Sequence, residues 1–518
     1  ATLLAANGNI AVTAGGAIGV LANEQLTASA GGASLNGASL AMAAGSQVAA
    51  LLDIDVVTTG DAFATTLAST RGHVSVNAGG NATVTTASIA DAVLGDIIYQ
   101  VTGNLAVGTA AAAGKIQANV GGSFTENAGG QLTSRTDLIA VTADSIAMGA
   151  GAGMTAAQTI ALQGTRDVIL GALTSTASPA LNASPVVTVT AGSPTLAGAI
   201  ISNGDGQTNI ATSRPNASIV LTAGGGIGVD SVLNPPAQPA APVAIKTNVP
   251  LLTASTTLGD INIANTGDLR VLSTSSPVGK TNITTTGAFS IASVTGIDVV
   301  LNAPGDIDIG TINATTSVTI NANSATGNIV QQPGGGPLVL NITGANGGTA
   351  QTMNLTIDAP GGTDVGQFSV TDANVTSNGG HFSIASGNVP GKLVLTMPGQ
   401  VIVLDNRSPV PTVGPSVQMY GPGLLFNFSQ DGFTTTTSNY VVSYGVLSAI
   451  TALGAYQGMA FVRDVPRDMK SGDGFDVQGG SGKSGATLFS ILGVSPTFML
   501  DILQAPKPVE APAEIGRA

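Results

Sequence analysis

A short phrase that returns along the chain constrains the fold more than any other feature. Three close copies, at residues 8–20, 72–84 and 217–229, share the pattern x-x-[IV]-x-[VL]-[TN]-A-G-G-x-[IA]-x-V. In each copy, apolar residues alternate with small polar residues on both sides of a glycine pair, and this period of two is typical of strands. Self-similarity of this kind predicts an architecture of stacked repeats.

The spacing of the copies indicates what one repeat is. Looser copies lie at residues 38–48, 114–124, 259–271, 297–309 and 316–326, and several spacings are close to multiples of about 20 residues. A coil of two or three short strands of that length is one rung of a parallel β-helix. Its Ala, Val, Ile and Leu side chains would point inward and stack about 4.8 Å apart on the next rung. Thr and Ser would cover the outside, and Gly and Asn would take the corners because they tolerate positive φ.

Proline-rich segments interrupt the repeats. They lie near residues 176–194, 233–250 and 331–337, and a proline cannot donate to a central strand ladder. We expect a parallel β-helix over residues 1–400 from which these segments leave as loop excursions. Alternatively, they are inter-domain linkers.

The composition changes near residue 400. Eleven of the 17 Phe and Tyr residues lie at or beyond Tyr420. Apolar residues at helical spacing in 445–462, and the segment 486–494, predict some helix. We therefore expect a smaller mixed C-terminal module or cap over residues 401–505, followed by an extended tail over 506–518.

Charge and composition exclude several classes of protein. The net charge of −13 and the scattered 16 basic residues argue against nucleic acid as a partner, since phosphate binding needs clustered Lys and Arg. The absence of cysteine excludes a disulfide framework and thiol chemistry. No run of about 20 apolar residues occurs, so no transmembrane helix is expected. The chain opens at Ala1 without an initiator Met, and we expect a processed polypeptide whose signal peptide has been removed.

Calcium is the one metal for which the sequence offers candidate ligands. The segment 225–233 fits a calcium-roll nonapeptide with Asp230 as its carboxylate, but such a roll needs tandem copies and this copy is solitary. Asp473 and Asp476 flank Gly474 in a second glycine-rich segment, which supplies few of the six or more oxygens that calcium prefers. The alternative is that both segments are polar loops, and we expect no cofactor.

Enzymatic chemistry is not expected either. The two histidines, His73 and His381, lie in separate repeats, whereas a catalytic triad needs a histidine beside a nucleophile and a carboxylate. Asp306 and Asp308 share one strand face and are the best carboxylate pair for glycoside chemistry, although an exposed strand carries such pairs as well. The stretch 482–484 resembles the end of a phosphate loop, but Val477 replaces its opening glycine.

The repeated phrase, in a cysteine-free chain rich in Gly, Ala, Thr and Asn, resembles the filamentous haemagglutinin-like exoproteins, which are exported by two-partner secretion. The resemblance covers roughly residues 1–400. It implies a right-handed parallel β-helix, export to the bacterial cell surface, and adhesive or matrix roles such as biofilm formation. It carries over no catalytic residue.

The expected function is therefore structural. We expect a secreted, extracellular β-solenoid that self-assembles head-to-tail into a fibre or surface matrix, because the repeat begins at once at the first residues with no visible cap. The aromatic C-terminal module would pack on the first rungs of a neighbour. One alternative is a monomeric adhesin that binds a host ligand or a cell-surface glycan. The other is a polysaccharide-active β-helix enzyme.

Overall fold

The computed structural model describes residues 2–91, 93–177, 185–229 and 243–304, followed by a series of strands between residues 307 and 443. The chain divides into two compact units, Ala1–Ile297 and Asp298–Ala518. Every regular element in the described residues is a β-strand. None of the described elements is a helix with the length and apolarity that crossing a membrane requires.

The strands are short and close together. In chain order the first of them are β1 Thr2–Ala5, β2 Ile10–Thr13, β3 Ala17–Val20, β4 Gln25–Ala28, β5 Ala33–Gly37, β6 Ser39–Met42, β7 Gln47–Ala50, β8 Ile54–Thr58, β9 Ala62–Ser69, β10 Val74–Ala78, β11 Ala82–Ile89, β12 Ile97–Val101, β13 Leu105–Ala112, β14 Ile116–Val120, β15 Ser123–Ser134, β16 Ile139–Ala143, β17 Ser145–Met148, β18 Gly153–Ala156, β19 Ile160–Gly164, β20 Val168–Leu170, β21 Ala172–Ser175 and β22 Val187–Ala191. They are followed by β23 Ile200–Ser202, β24 Ile210–Thr212, β25 Ser218–Ala223, β26 Ile245–Asn248, β27 Leu251–Thr256, β28 Ile261–Asn265, β29 Leu269–Ser275, β30 Thr281–Thr285, β31 Phe289–Asn302, β32 Ile307–Asn321, β33 Ala325–Gln331, β34 Leu338–Thr343, β35 Thr352–Asp358, β36 Thr363–Ser369, β37 Asp372–Ser377, β38 His381–Asn388, β39 Lys392–Met397, β40 Gln400–Asp405, β41 Val417–Tyr420, β42 Asn427–Phe428 and β43 Asn439–Ser443.

In the first unit, each strand pairs with the strand one turn away, and all of these pairings are parallel. They form three ladders. Ladder A joins β2, β5, β8, β10, β12, β14, β16, β19, β22, β25, β27 and β29. Ladder B joins β3, β6, β9, β11, β13, β15, β17, β20 and β23. Ladder C joins β1, β4, β7, β9, β11, β13, β15, β18, β21, β24, β26, β28 and β30. Strands β9, β11, β13 and β15 contribute their first halves to ladder B and their second halves to ladder C.

This arrangement confirms the predicted all-β parallel solenoid. It has about 14 turns, and a rung takes about 22 residues where the sequence predicted about 20. The rung is longer because the corners vary in length while the strands keep their register. The right-handed sense of the coil stays a prediction.

The core consists of columns of apolar side chains that stack from rung to rung. Along ladder A, one inward column contains Ile54, Val74, Ile97, Ile116 and Ile139, all in register and all fully buried. Side chains alternate between the two faces of a strand, so the repeat's period of two sends its apolar residues to the inside. Burial of each such side chain contributes about 1.5–3 kcal/mol, and this is the main force that holds the rungs together.

Two of the three proline-rich segments contain a strand. Their centres, residues 178–184 and 230–242, lie outside the described residues, as does 332–337. Strands β22 and β26, however, fall inside two of the segments that the sequence assigned to loops. Their sequences, VTVTA and IKTN, alternate and contain no proline. Strand β22 therefore continues ladder A, and β26 continues ladder C, between the flanking prolines. The interpretation as loop was wrong for these two stretches.

In the second unit, parallel pairing extends from β32 through β39. Beyond it the pairing becomes antiparallel: β40 pairs with β39 and with β43, and β41 pairs with β38 and with β42. The change falls between Met397 and Gln400. The predicted module over 401–505 lies largely outside the described residues, as do the predicted helices and the tail, so the domain assignment stays a prediction.

Candidate functional site

The residues that the sequence singled out for chemistry are not brought together in the described structure. Asp230, Asp306, Asp473 and Asp476 lie outside the described residues, as does the segment 482–484. Asp308 is described, and it is an exposed outward residue of β32. Among the described residues, no group of three or more His, Cys, Asp and Glu side chains is arranged to hold a metal ion.

His73 is a structural link at a corner. Its Nδ1 accepts a hydrogen bond from the backbone N–H of Asp96, 3.0 Å away in the next rung. Its own backbone N–H donates to Oδ1 of Asp53 in the preceding rung, at 2.8 Å. The side chain is therefore one step in a series of contacts that runs from rung to rung. His381 begins β38, in register with Tyr420 of β41.

The same kind of series runs along the corner that precedes ladder B. Oδ1 of Asp61 accepts from the backbone N–H of Asn81 at 2.7 Å. Oδ1 of Asn81 accepts from Asn104 at 2.9 Å, and Oδ1 of Asn104 accepts from Ser123 at 2.8 Å. Each side chain thus satisfies a backbone donor one rung further on, at a point where the regular ladder is interrupted.

The corner that precedes ladder A repeats this arrangement, and we call both series the corner ladders. Oδ1 of Asn9 accepts from Gly32 at 2.8 Å, and Oδ1 of Asp96 accepts from Lys115 at 2.9 Å. Later in the unit, Oδ1 of Asp268, which precedes β29, accepts from Ala288 at 2.8 Å. Where the acceptor is a carboxylate, the hydrogen bond is charge-assisted and stronger than a neutral one.

Positive φ explains some corner residues, among them Asn23, Gly45, Gly95 and Gly151, but the corner ladders give a different reason for a second set of corner glycines. Among Gly72, Gly80, Gly103, Gly114 and Gly122, none has a positive φ. An added Cβ at each of these positions would instead lie under 3.0 Å from the Asn or Asp oxygen of the preceding rung. Asn23 is the only described non-glycine residue with a positive φ. Glycine is needed here for space, and Asn or Asp for the oxygen that it presents.

Removal of one corner acceptor should destabilise the solenoid locally. In Asn81→Ala, the N–H of Asn104 loses its acceptor, and we expect a loss of about 1–2 kcal/mol in the free energy of unfolding. Asn77→Ala is the matched control, because Asn77 is an exposed outward residue of β10. Urea unfolding followed by circular dichroism measures both variants, and equal midpoints would contradict the role given to Asn81.

Glu126 is the most unusual ionisable residue in the described chain. It points into the core from β15, where its partners in register are Val107 and Met148. It is 0% exposed, and neither carboxylate oxygen has a hydrogen-bond partner. Burial raises the pKa of Glu126 to about 8, although the nearby backbone N–H of Gly153 favours the charged form. The proton therefore stays on this carboxyl group in neutral solution.

Nothing ionisable lies close to Glu126 along the sheet. The strands that pair with β15, or flank it in the same rung, are β13, β14, β16, β17 and β18, and their sequences contain no Asp, Glu, Lys, Arg or His. The carboxyl group is consequently buried without a counter-ion. Such a group costs stability whenever it is charged.

Between residues 25 and 202, nearly all charges lie along two edges of the solenoid. Between residues 25 and 202, all Asp, Glu, Lys and Arg residues except Asp55 and Glu126 lie in the corners that precede ladder A or ladder B. The outer faces of ladders B and C, and the corner between them, carry no charge in the described part of this range. Two long uncharged surfaces result.

Comparison with protein-family models, with curated proteins and with solved structures finds no match to this chain.

Proposed function

We propose that this protein is an extracellular structural β-solenoid that self-assembles head-to-tail into a fibre or surface matrix. The observation that carries the proposal is the uniform way in which rungs are joined. Backbone ladders and corner ladders repeat along the first unit, so the surface that one rung presents to the next is nearly the same throughout. A rung from a second copy fits such a surface as well as a rung of the same chain.

Among the described residues, strands β1, β2 and β3 pair along one edge with β4, β5 and β6, and their opposite edge is a backbone edge of the same kind. Leu3 is in register with the buried Leu26, yet it is 54% exposed. In the proposed assembly, a rung of a second copy covers this edge, pairs with its backbone and buries Leu3. The contact is heterologous and does not close, which is the condition for a filament.

The extracellular and bacterial cell-surface setting is part of the proposal. Its support is the repeat phrase and the cysteine-free composition, which resemble the filamentous haemagglutinin-like exoproteins. The small outward side chains and the rung-to-rung corner contacts suit a load-bearing element. We propose no enzymatic activity.

A pair of variants at Ala11 tests the head-to-tail contact. The backbone N–H groups of Ile10 and Ala14 donate to carbonyl groups of Gly32 and Asn36 in the second rung. By the alternation of a strand, the N–H of Ala11 points to the opposite edge. Ala11→Pro removes that donor and spares the contacts with the second rung, whereas Ala11→Lys changes only the exposed side chain.

Negative-stain electron microscopy of the chain 1–518 is the readout. We expect long threads from the unmodified protein and from Ala11→Lys, and isolated particles from Ala11→Pro. Circular dichroism of each variant checks that the strands are intact. Isolated particles of the unmodified protein at high concentration would contradict the proposal. If those particles bind to a glycan array, the monomeric adhesin is the better account.

A further inference from the structure

The outer face of ladder B carries a continuous column of uncharged, mostly apolar residues. Its residues follow one another in register, one per rung, and all point outward: Gly19, Ala41, Phe63, Thr83, Ala106, Thr125, Ala147, Ile169 and Ile201. These positions are far apart in the sequence, and only the register brings them into one line. We call this set the ladder B column.

The ladder B column is accessible and free of charge. Phe63 is 43% exposed, which is high for a large aromatic side chain. Ile169 and Ile201 are half-buried at the other end of the column. From the rung of Ala41 to the rung of Ile169, the corner towards ladder C has no charged residue, while the corner towards ladder A has Asp61, Asp144, Arg166 and Asp167. In the two end rungs, the corner towards ladder C contains Glu24 and Asp205. Over the seven rungs between them, the strip therefore has one charged edge and one uncharged edge.

We propose that the ladder B column is a lateral interface, on which a second copy of this chain packs face to face about a two-fold axis. Nine rungs spaced about 4.8 Å apart, with strands about 13 Å wide, give a flat area of about 560 Å² per copy. The total of about 1,100 Å² lies just above the roughly 1,000 Å² that a biological interface should bury, in the range of weak, transient complexes. Small side chains along most of the column allow two sheets to approach to the usual spacing of about 10 Å.

The charges explain why a second copy fits this face. The chain has a net charge of −13, so most surfaces of two copies repel each other. On the ladder B column this repulsion is small, because over the middle rungs the charged corner lies to one side only. A two-fold axis through the middle of the column places Phe63 of one copy near the isoleucine end of the other. Aromatic and aliphatic side chains of this kind form the centres of protein interfaces.

This lateral contact deepens the proposed assembly but does not depend on the head-to-tail contact. It concerns a side of the solenoid, whereas the head-to-tail contact concerns its first rung. An experiment can therefore contradict one contact and leave the other standing. Side-by-side dimers that form no threads would support the lateral contact alone. Threads that are one copy wide would support the head-to-tail contact alone.

Ala106→Arg is the decisive variant, because Ala106 lies in the middle of the column. The two-fold axis brings both copies of the new arginine together, and like charges at an interface cost several kcal/mol. We expect the dissociation constant of the lateral dimer to rise at least about 100-fold. Gln117→Arg is the matched control, since Gln117 points outward from ladder A on the adjacent strand β14.

The measurement is sedimentation velocity in the Ala11→Pro background, where threads are not expected. A concentration-dependent dimer that is lost in Ala106→Arg and kept in Gln117→Arg is the expected result. A monomer at all concentrations would overturn the proposal, and so would a dimer that both arginine variants leave unchanged. A monomer that binds a soluble uncharged polysaccharide, with binding lost in Ala106→Arg, would instead assign the column to carbohydrate.

Discussion

Replacement of Glu126 by methionine is expected to stabilise the protein at alkaline pH and to flatten its stability between pH 5 and pH 8. The carboxyl group has a pKa of about 8 when folded and 4.5 as a reference. Between these values the folded chain holds a proton that the unfolded chain has released. Its free energy of unfolding therefore falls by about 1.4 kcal/mol for each pH unit, and the total loss by pH 8 is on the order of 4 kcal/mol.

The sign of this dependence distinguishes Glu126 from ordinary carboxylates. A salt-bridged Asp or Glu loses its contribution as the pH falls, whereas Glu126 loses its contribution as the pH rises. Glu126→Met fills the same column as its neighbours Val107 and Met148 and removes the titration. Glu126→Gln also removes the titration but leaves a buried amide, so it should be less stable than Glu126→Met.

Urea unfolding at several pH values, combined with hydrogen exchange of the β15 amides, measures the effect. Asp137→Asn is the control, because it removes a carboxylate from a corner between rungs. We expect the control to keep the slope of the unmodified protein and Glu126→Met to lose it. A Glu126→Met variant with an unchanged pH profile would show that this carboxyl group does not titrate inside the core.

Gly79→Ala should be among the most destabilising single changes in the first unit. An added Cβ at Gly79 would lie too close to the carbonyl oxygen of Thr59 in the preceding rung. The obstacle is backbone rather than a flexible side chain, so the rungs themselves must separate. We expect a cost of roughly 3 kcal/mol or more, the range of severe core disruption.

The repeat phrase supplies a matched control for this change. Gly15 occupies the same place in the copy at 8–20 as Gly79 does in the copy at 72–84, and an added Cβ at Gly15 meets nothing within 4 Å. Gly15→Ala should therefore be nearly neutral in thermal unfolding of the dissociated protein, while Gly79→Ala lowers the melting temperature by many degrees. Equal effects of the two changes would contradict the steric explanation.

Much of the fold follows from the sequence because its physical cause is local. The alternation in copies such as GHVSVNAGGNATV determines which side chains face inward, and the copies determine that rungs stack. The lengths of the corners do not follow. Ile160 pairs with Val187, and Val187 pairs with Ile219, which are longer steps than the repeat predicts. Short strands such as β26 were consequently assigned to loops.

The predicted reason for the corner residues, tolerance of positive φ, holds at corners such as Gly45 and Gly95 but not at the glycines of the corner ladders. The sequence places Gly before Asn or Asp repeatedly, as in Gly80-Asn81 and Gly103-Asn104. This dipeptide was the sequence signal for the corner ladders. Whether its Asn or Asp accepts a hydrogen bond depends on the residue one rung away, and alternation and composition do not identify that residue.

Glu126 and the ladder B column were missed for a related reason. Phe124 and Glu126 have the same parity in β15, so strict alternation predicts an inward glutamate, but a charged residue is expected on the outside of a strand. The column joins residues as distant as Phe63 and Ile169, and only the register of each intervening rung places them in line. A feature that depends on the register of many successive rungs can be identified only from the structure.

X-ray fibre diffraction from aligned threads of the chain 1–518 tests the central claim most directly. If parallel rungs stack within each copy and continue from one copy to the next, the strand spacing runs along the thread. The account predicts a strong reflection at about 4.8 Å on the meridian. A 4.8 Å reflection on the equator, or aligned threads with no such reflection, would contradict the claim that copies join rung to rung.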